Sequence, residues 1–307
     1  MTAPVTLHLY HGETELLCTA CLSFSLEKEV YTPYDAITAE FLSQLNDYSQ
    51  IDRMAVYLGE TCIFFGLSDN IQLYQKNHVS LVRISSRSFT SLLTQNELEA
   101  GLHSNLTAES LLTGFYQFPY ITYENLSGTG YIYVKSGNTM WDGIVSFGYK
   151  LTGHYPYIIQ NQVCFSRPQN RPVSAFTSGQ VLESGTVLNT TKLISHYHME
   201  DIDGNPNAYQ QENQVASALN IVRHKQISFD RSFLHAPNTA LTFRNLYSQR
   251  GYRANYLIYD GFRNENLGDT ISYSSLIPNQ TLCRLHATFG TNGFRTKLWC
   301  YQDGFYS

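Results

Sequence analysis

The sequence is short of charge. Asp, Glu, Lys and Arg make up 15% of its 307 residues, against about a quarter in ordinary globular chains. Lys and Arg never occur three in a row and the net charge is −5, which argues against the clustered cationic surface that a nucleic-acid backbone requires. No segment reaches the roughly 18 consecutive apolar residues of a transmembrane helix, so no membrane span is expected. The opening Met1-Thr2-Ala3-Pro4 lacks the charged and apolar regions of a secretory signal. Synthesis in a cytoplasm is therefore expected, with the six cysteines reduced.

Catalytic signatures are missing as well. There is no Gly-x-Ser-x-Gly elbow, no His-Glu-x-x-His and no phosphate-binding glycine loop. Gly128-Thr129-Gly130 leads into a strand-like run, so it presents no helix N–H groups to a phosphate. No acidic pair is singled out for glycoside hydrolysis. The four Asn-x-Ser/Thr sequons, at Asn105, Asn125, Asn189 and Asn279, are what an Asn- and Thr-rich chain gives by chance. The expectation is a chain that is not an enzyme, with no catalytic residue and no cofactor.

Two constellations come nearest to chemistry. Cys18-Thr19-Ala20-Cys21 has redox spacing, but a low-pKa thiol needs a helix N-terminus. The flanking Leu16, Leu17, Leu22 and Phe24 read as a strand, which would send the two sulfurs to opposite faces. Cys62, Cys164, Cys283 and Cys300 stand singly and supply no second pair for zinc. His196-Tyr197-His198 would place both imidazoles on one side of a strand, with Glu200, Asp201 and Asp203 close behind. His196 and His198 are thus the candidates for a divalent metal. No third ligand falls at firm spacing, so no metal is assigned, and both read as surface residues before the turn at Asp203-Gly204.

What the sequence has in abundance is aromatic side chains: 23 Tyr and 17 Phe against 2 Trp. A Tyr-rich, charge-poor chain suits cross-strand pairing and large protein contacts. Residues 1–85 read as a small β-barrel or sandwich, with strands at 5–10, 16–26, 54–58, 61–67 and 79–84, a hairpin at Gly59-Glu60 and an exposed polar loop at 46–50. Residues 86–166 read as a central α+β unit. It has a short helical segment at 88–94, capped by Ser86 or Ser88, and a helix opened by Thr107. A clearer helix follows over 139–151, capped by Asn138 and stopped by Gly153, then a hairpin around Gln160-Asn161. Residues 167–307 return to β, a barrel-like unit for which pairing with the first is the expectation. Its strands fall at 181–182, 193–199, 221–228, 252–259, 270–273, 282–289 and 295–301, with one helix over 239–250 and a turn at Thr291-Asn292-Gly293. The fold class is mainly β (α+β).

One stretch resembles a known family. Val82-Arg83-Ile84-Ser85-Ser86-Arg87-Ser88-Phe89-Thr90-Ser91-Leu92-Leu93, then Gln95-Asn96-Glu97, then Asn105-Leu106-Thr107-Ala108-Glu109 is similar to the strand, Arg-Ser, Leu-Leu and helix succession of phage baseplate hub proteins, the late-control-D-like family. Met140–Gly153 with Trp141, and Gly268-Asp269-Thr270-Ile271, fit the same pattern. The resemblance implies a structural protein without catalytic residues. It implies a homotrimer whose ring of small barrels lies between the tail tube protein above and the spike protein below, among other baseplate proteins. The expected location is the baseplate of a virion or tail-like contractile injection particle made in a bacterial cytoplasm. The competing readings are a Tyr-rich carbohydrate- or receptor-binding tail module and a cell-wall hydrolase carried on the tail tip.

Overall fold

The computed structural model describes residues 4–44, 47–169 and 171–306. The expectations placed on Met1 to Ala3, on Asn46 and on Asn170 lie outside the described residues. The first segment forms β1 (Val5–His11), β2 (Thr14–Cys18), β3 (Cys21–Glu29), β4 (Ala36–Leu42), β5 (Arg53–Leu58), β6 (Thr61–Leu67), β7 (Asn70–Lys76) and β8 (Val79–Arg87). Strict alternation drives the inner strands: Phe24 and Leu26 of β3, and Ile37, Ala39 and Phe41 of β4, are buried while their neighbours face outward. The single strand expected over 16–26 is broken at Thr19-Ala20, and its halves enter different sheets. In the loop expected to be exposed, Tyr48 is buried, its hydroxyl meeting Ser43 Oγ and Gln44 N at 3.1 Å.

The central segment carries α1 (Leu92–Gln95), β9 (Gly101–Leu106), α2 (Ala108–Thr113), β10 (Thr122–Tyr123), β11 (Gly130–Val134), α3 (Met140–Thr152), β12 (Tyr157–Ile159) and β13 (Gln162–Cys164). Helix α3 starts at a capping box: Thr139 Oγ1 accepts from Asp142 N at 3.2 Å, and Asp142 Oδ2 accepts from Thr139 N at 2.8 Å. The cap is therefore Thr139 and not Asn138, whose Oδ1 instead accepts from Lys135 N. Gly153 ends the helix at φ +72°. Ser88 precedes the first helical turn but makes no capping bond; its Oγ accepts from Asp35 N at 3.0 Å.

The last segment carries β14 (Val173–Ala175), β15 (Val181–Leu188), β16 (His196–Met199), β17 (Tyr209–Glu212), α4 (Gln214–Ala218), β18 (His224–Ile227), α5 (Pro237–Ser248) and β19 (Arg253–Asp260). It closes with β20 (Thr270–Tyr273), β21 (Ile277–Thr281), β22 (Arg284–Gly290) and β23 (Gly293–Tyr301).

An antiparallel eight-stranded sheet in the order β15-β19-β23-β22-β3-β4-β8-β7 organises the molecule. Two smaller sheets, β2-β1-β5-β6 and β14-β20-β21, share one continuous apolar core with it. The mainly β class is as expected. Closed small barrels are not found among the described residues, because β7, β15 and β2 keep unpaired edges; one bridge, Gly66 to Ser88, ties β6 to β8. A second core surrounds α3 and takes in Leu241 of α5 together with Tyr301, Phe305 and Tyr306 from the end of the chain. Among the described residues, no helix is long and apolar enough to cross a membrane.

Candidate assembly interface

The eight-stranded sheet is built from two units of identical connectivity. In the first segment the strands β3, β4, β7 and β8, taken in chain order, lie in the order first-second-fourth-third. In the last segment β15, β19, β22 and β23 lie in the same order. The units join where the third strand of one, β22, pairs antiparallel with the first strand of the other, β3, through registered pairs from Arg284 opposite Glu29 to Phe289 opposite Phe24. The Arg284 guanidinium reinforces this joint through Glu27. What remains unpaired is one strand of each joining type: β7, a third strand, and β15, a first strand.

Both free edges lie open. No residue of β7 or β15 is fully buried, and Leu73, Leu182, Val187 and Leu188 are exposed. Long exposed edges template pairing with another strand unless they are blocked or covered. The accessible surface points the same way. It is 15037 Å², against about 13,000 Å² for a compact monomer of this mass.

The joint between segments is also chemical. Lys28 of β3 and Asp35 are both buried, and Lys28 Nζ lies 3.7 Å from Asp35 and donates to Asn266 Oδ1 at 3.0 Å. Tyr31 Oη donates to Asp303 at 2.6 Å, and Tyr301 Oη to Glu29 at 2.7 Å. Burial holds the Asp35 and Asp303 carboxyls above the usual carboxylate range, and the attraction of Lys28 only partly offsets this at Asp35.

The residues singled out by sequence fall elsewhere. Cys18 and Cys21 sit on β2 and β3, not on one strand. Burial pushes their thiols up to about 11 and about 12, which is opposite to an activated redox pair. All six cysteines are free. Gly128-Thr129-Gly130 does lead into the strand β11. His196 and His198 share the outer face of β16 but are half-buried, and they meet a third imidazole, His224 on the parallel strand β18, which sequence spacing did not reveal. Among the described residues, no group of three or more His, Cys, Asp or Glu is arranged to hold a metal ion.

No protein-family model matches the chain, and no curated protein matches it in sequence. Solved structures do match its fold. A tail protein from Neisseria meningitidis MC58 superposes with a TM-score of 0.74 at 13% identity, over 100% of this chain and 98% of that one. The 43 kDa tail protein of prophage MuSo2 from Shewanella oneidensis gives 0.71 at 11% identity, over 97% and 98%. A component of the type VI secretion system of E. coli, itself structurally similar to T4 bacteriophage tail proteins gp27 and gp5, gives 0.58 at 7% identity, over 94% and 75%. The chain thus has the fold of phage tail proteins from end to end.

Proposed function

We propose that this chain is a structural subunit of a phage tail or tail-like injection particle, and that three copies close into a ring forming the baseplate hub between tail tube and spike. The observation that carries the reading is the duplicated four-stranded unit. The joint inside the chain, third strand to first strand, is the joint that β7 of one copy and β15 of the next would repeat. A head-to-tail contact of this kind forms a ring if its rotation closes. Each chain supplies two units, so three chains present six equivalent units to a six-fold tube on one side while keeping three-fold symmetry for a spike on the other. The end-to-end fold match to tail proteins supports the setting.

On this reading the chain works by assembly and holds no catalytic group or cofactor. It would be made in the bacterial cytoplasm and carried in the particle. The test is a reconstruction of the assembled particle. Three copies with β7 and β15 paired across subunits are expected. Six copies, or a single copy off the axis, would overturn the reading.

A further inference from the structure

The two four-stranded units agree residue by residue as well as in strand order. The hairpins β7-β8 and β22-β23 both turn on two residues, with Lys76 facing Val79 in one and Gly290 facing Gly293 in the other. Lys76 and Gly290 are therefore equivalent. Following the pairings away from these turns, Ala36 faces Arg87 where Ala254 faces Tyr301. Ala36 also faces Glu27 where Ala254 faces Val187, so Glu27 and Val187 are equivalent. A feature not used in the alignment agrees with it. The β3–β4 pairing slips between Cys21 and Ser23, and the β15–β19 pairing slips between Val181 and Glu183, at the same distance from the equivalent pair. Burial keeps the same phase: Ile37, Ala39 and Phe41 are buried, as are Asn255, Leu257 and Tyr259.

This equivalence carries the register of the internal joint over to the free edges. Inside the chain, the joint runs from Arg284 opposite Glu29 to Phe289 opposite Phe24. Transferred to two copies, it runs from Asn70 opposite Asn189 to Gln75 opposite Ser184. The faces match, which a slip of one residue would destroy. Ile71 and Leu73 pair within the chain with the buried Ile84 and Val82 and so lie on the core side. In this register they meet Leu188 and Thr186, and Thr186 is on the core side beside the buried Asn255. Their counterparts at the internal joint, Leu285 and Ala287, are fully buried, whereas Leu73 is 42% and Leu188 65% exposed in the single chain. The joint between copies supplies the missing cover. No like charges face each other, and one step past the last pair the register sets Lys76 beside Glu183.

We propose that neighbouring copies join β7 to β15 antiparallel in this one register, with Ile71 opposite Leu188, Leu73 opposite Thr186 and Lys76 beside Glu183. The inference rests on the ring proposed above and specifies its contact.

The test is disulfide trapping in the assembled particle, read by non-reducing electrophoresis against each single-cysteine variant, since the six native cysteines are free. Leu73→Cys with Thr186→Cys should close covalent trimers. Leu73→Cys with Leu188→Cys, or with Ser184→Cys, should not, because diagonal neighbours stand about 7–8 Å apart, beyond the reach of a disulfide. A disulfide in a shifted pair instead would overturn the register and leave the ring standing. No disulfide in any of the three pairs would overturn both. The native particle gives a second reading that needs no variant. Lys76 and Glu183 lie on opposite edge strands of one chain's sheet, seven strand spacings or roughly 30 Å apart, so a zero-length carbodiimide can couple them only between copies. Mass spectrometry should find that conjugate in the particle and not in the isolated chain, and its absence from the particle would overturn the register.

Discussion

Replacing Trp141 by Ala should lower the stability of the isolated subunit by about 3 kcal/mol, at the low end of the roughly 3–5 kcal/mol for deleting a buried Trp or Phe. Trp141 occupies the first turn of α3, is 6% exposed, and packs edge-on against Tyr155 with ring centroids 6.4 Å apart. Two features hold the magnitude down. Its indole Nε1 makes at most a weak polar contact, with the Tyr155 side chain, so little hydrogen bonding is lost. One side of the ring lines a cavity of about 520 Å³ shared with Tyr247 and Arg244, so part of its contact is already missing. Unfolding entropy of about 2.1 cal/mol/K per residue turns 3 kcal/mol into a fall of about 5 °C in melting midpoint, if the chain unfolds as one unit. Calorimetry on Trp141→Ala beside Trp141→Phe, which keeps most of the ring, would read this directly. An unchanged midpoint together with failed assembly would refute the reasoning and move Trp141 from the subunit core to an intersubunit contact.

Lys28→Met should cost about 3–5 kcal/mol by leaving Asp35 buried and unpaired, and adding Asp35→Asn should recover most of it; denaturant midpoints of the single and double variants decide this. Gly148→Ala should destabilise by about 1–3 kcal/mol, because a Cβ there would meet Phe165 Cδ1 and Pro156 Cγ at 2.7 Å; a midpoint equal to wild type would show that the contact relaxes freely. Burial holds Asp35, Glu265, Asp269 and Asp303 above the usual carboxylate range. The folded chain therefore takes up these protons before the unfolded chain does, so stability rises on acidification from neutral pH toward the ordinary value near ~4 and falls again as pH climbs back through the raised values. In His154→Gln, which removes the imidazole that burial holds below its ordinary value and that opposes the effect in this range, the melting midpoint at pH 5.5 should exceed that at pH 7.5, and a lower midpoint would contradict the sign.

Features set by neighbours in sequence were legible. Helix α3 could be read because its apolar spacing and Gly153 stop lie within fifteen residues; only its cap, expected at Asn138, is instead Thr139 with Asp142. The hairpin of β22 and β23 announced itself through Asn292-Gly293. Features set by distant pairing were not. Strand β4 contains Ala, Ala and Glu, poor strand formers that are tolerated because β3 and β8 flank it. Strand β7 buries almost nothing and so shows no apolar alternation. The contact of His198 with His224 spans 26 residues and depends on a parallel pairing with no local signature. Lys28 reads as a surface cation until Asp35 and Asn266 are brought around it. The joint of β22 with β3 links positions more than 250 residues apart, which is why the duplicated unit emerged only from the sheet order.

The central claim is that the edges left free on one chain are the edges that join it to the next. Its most direct test is a reconstruction of the assembled ring at a resolution that traces strands. The account predicts three chains whose eight-stranded sheets run into one closed 24-stranded cylinder, with β7 antiparallel to β15 of the neighbour in the manner of β22 and β3. A ring in which β7 and β15 both face solvent, or in which the copy number is not three, would contradict it.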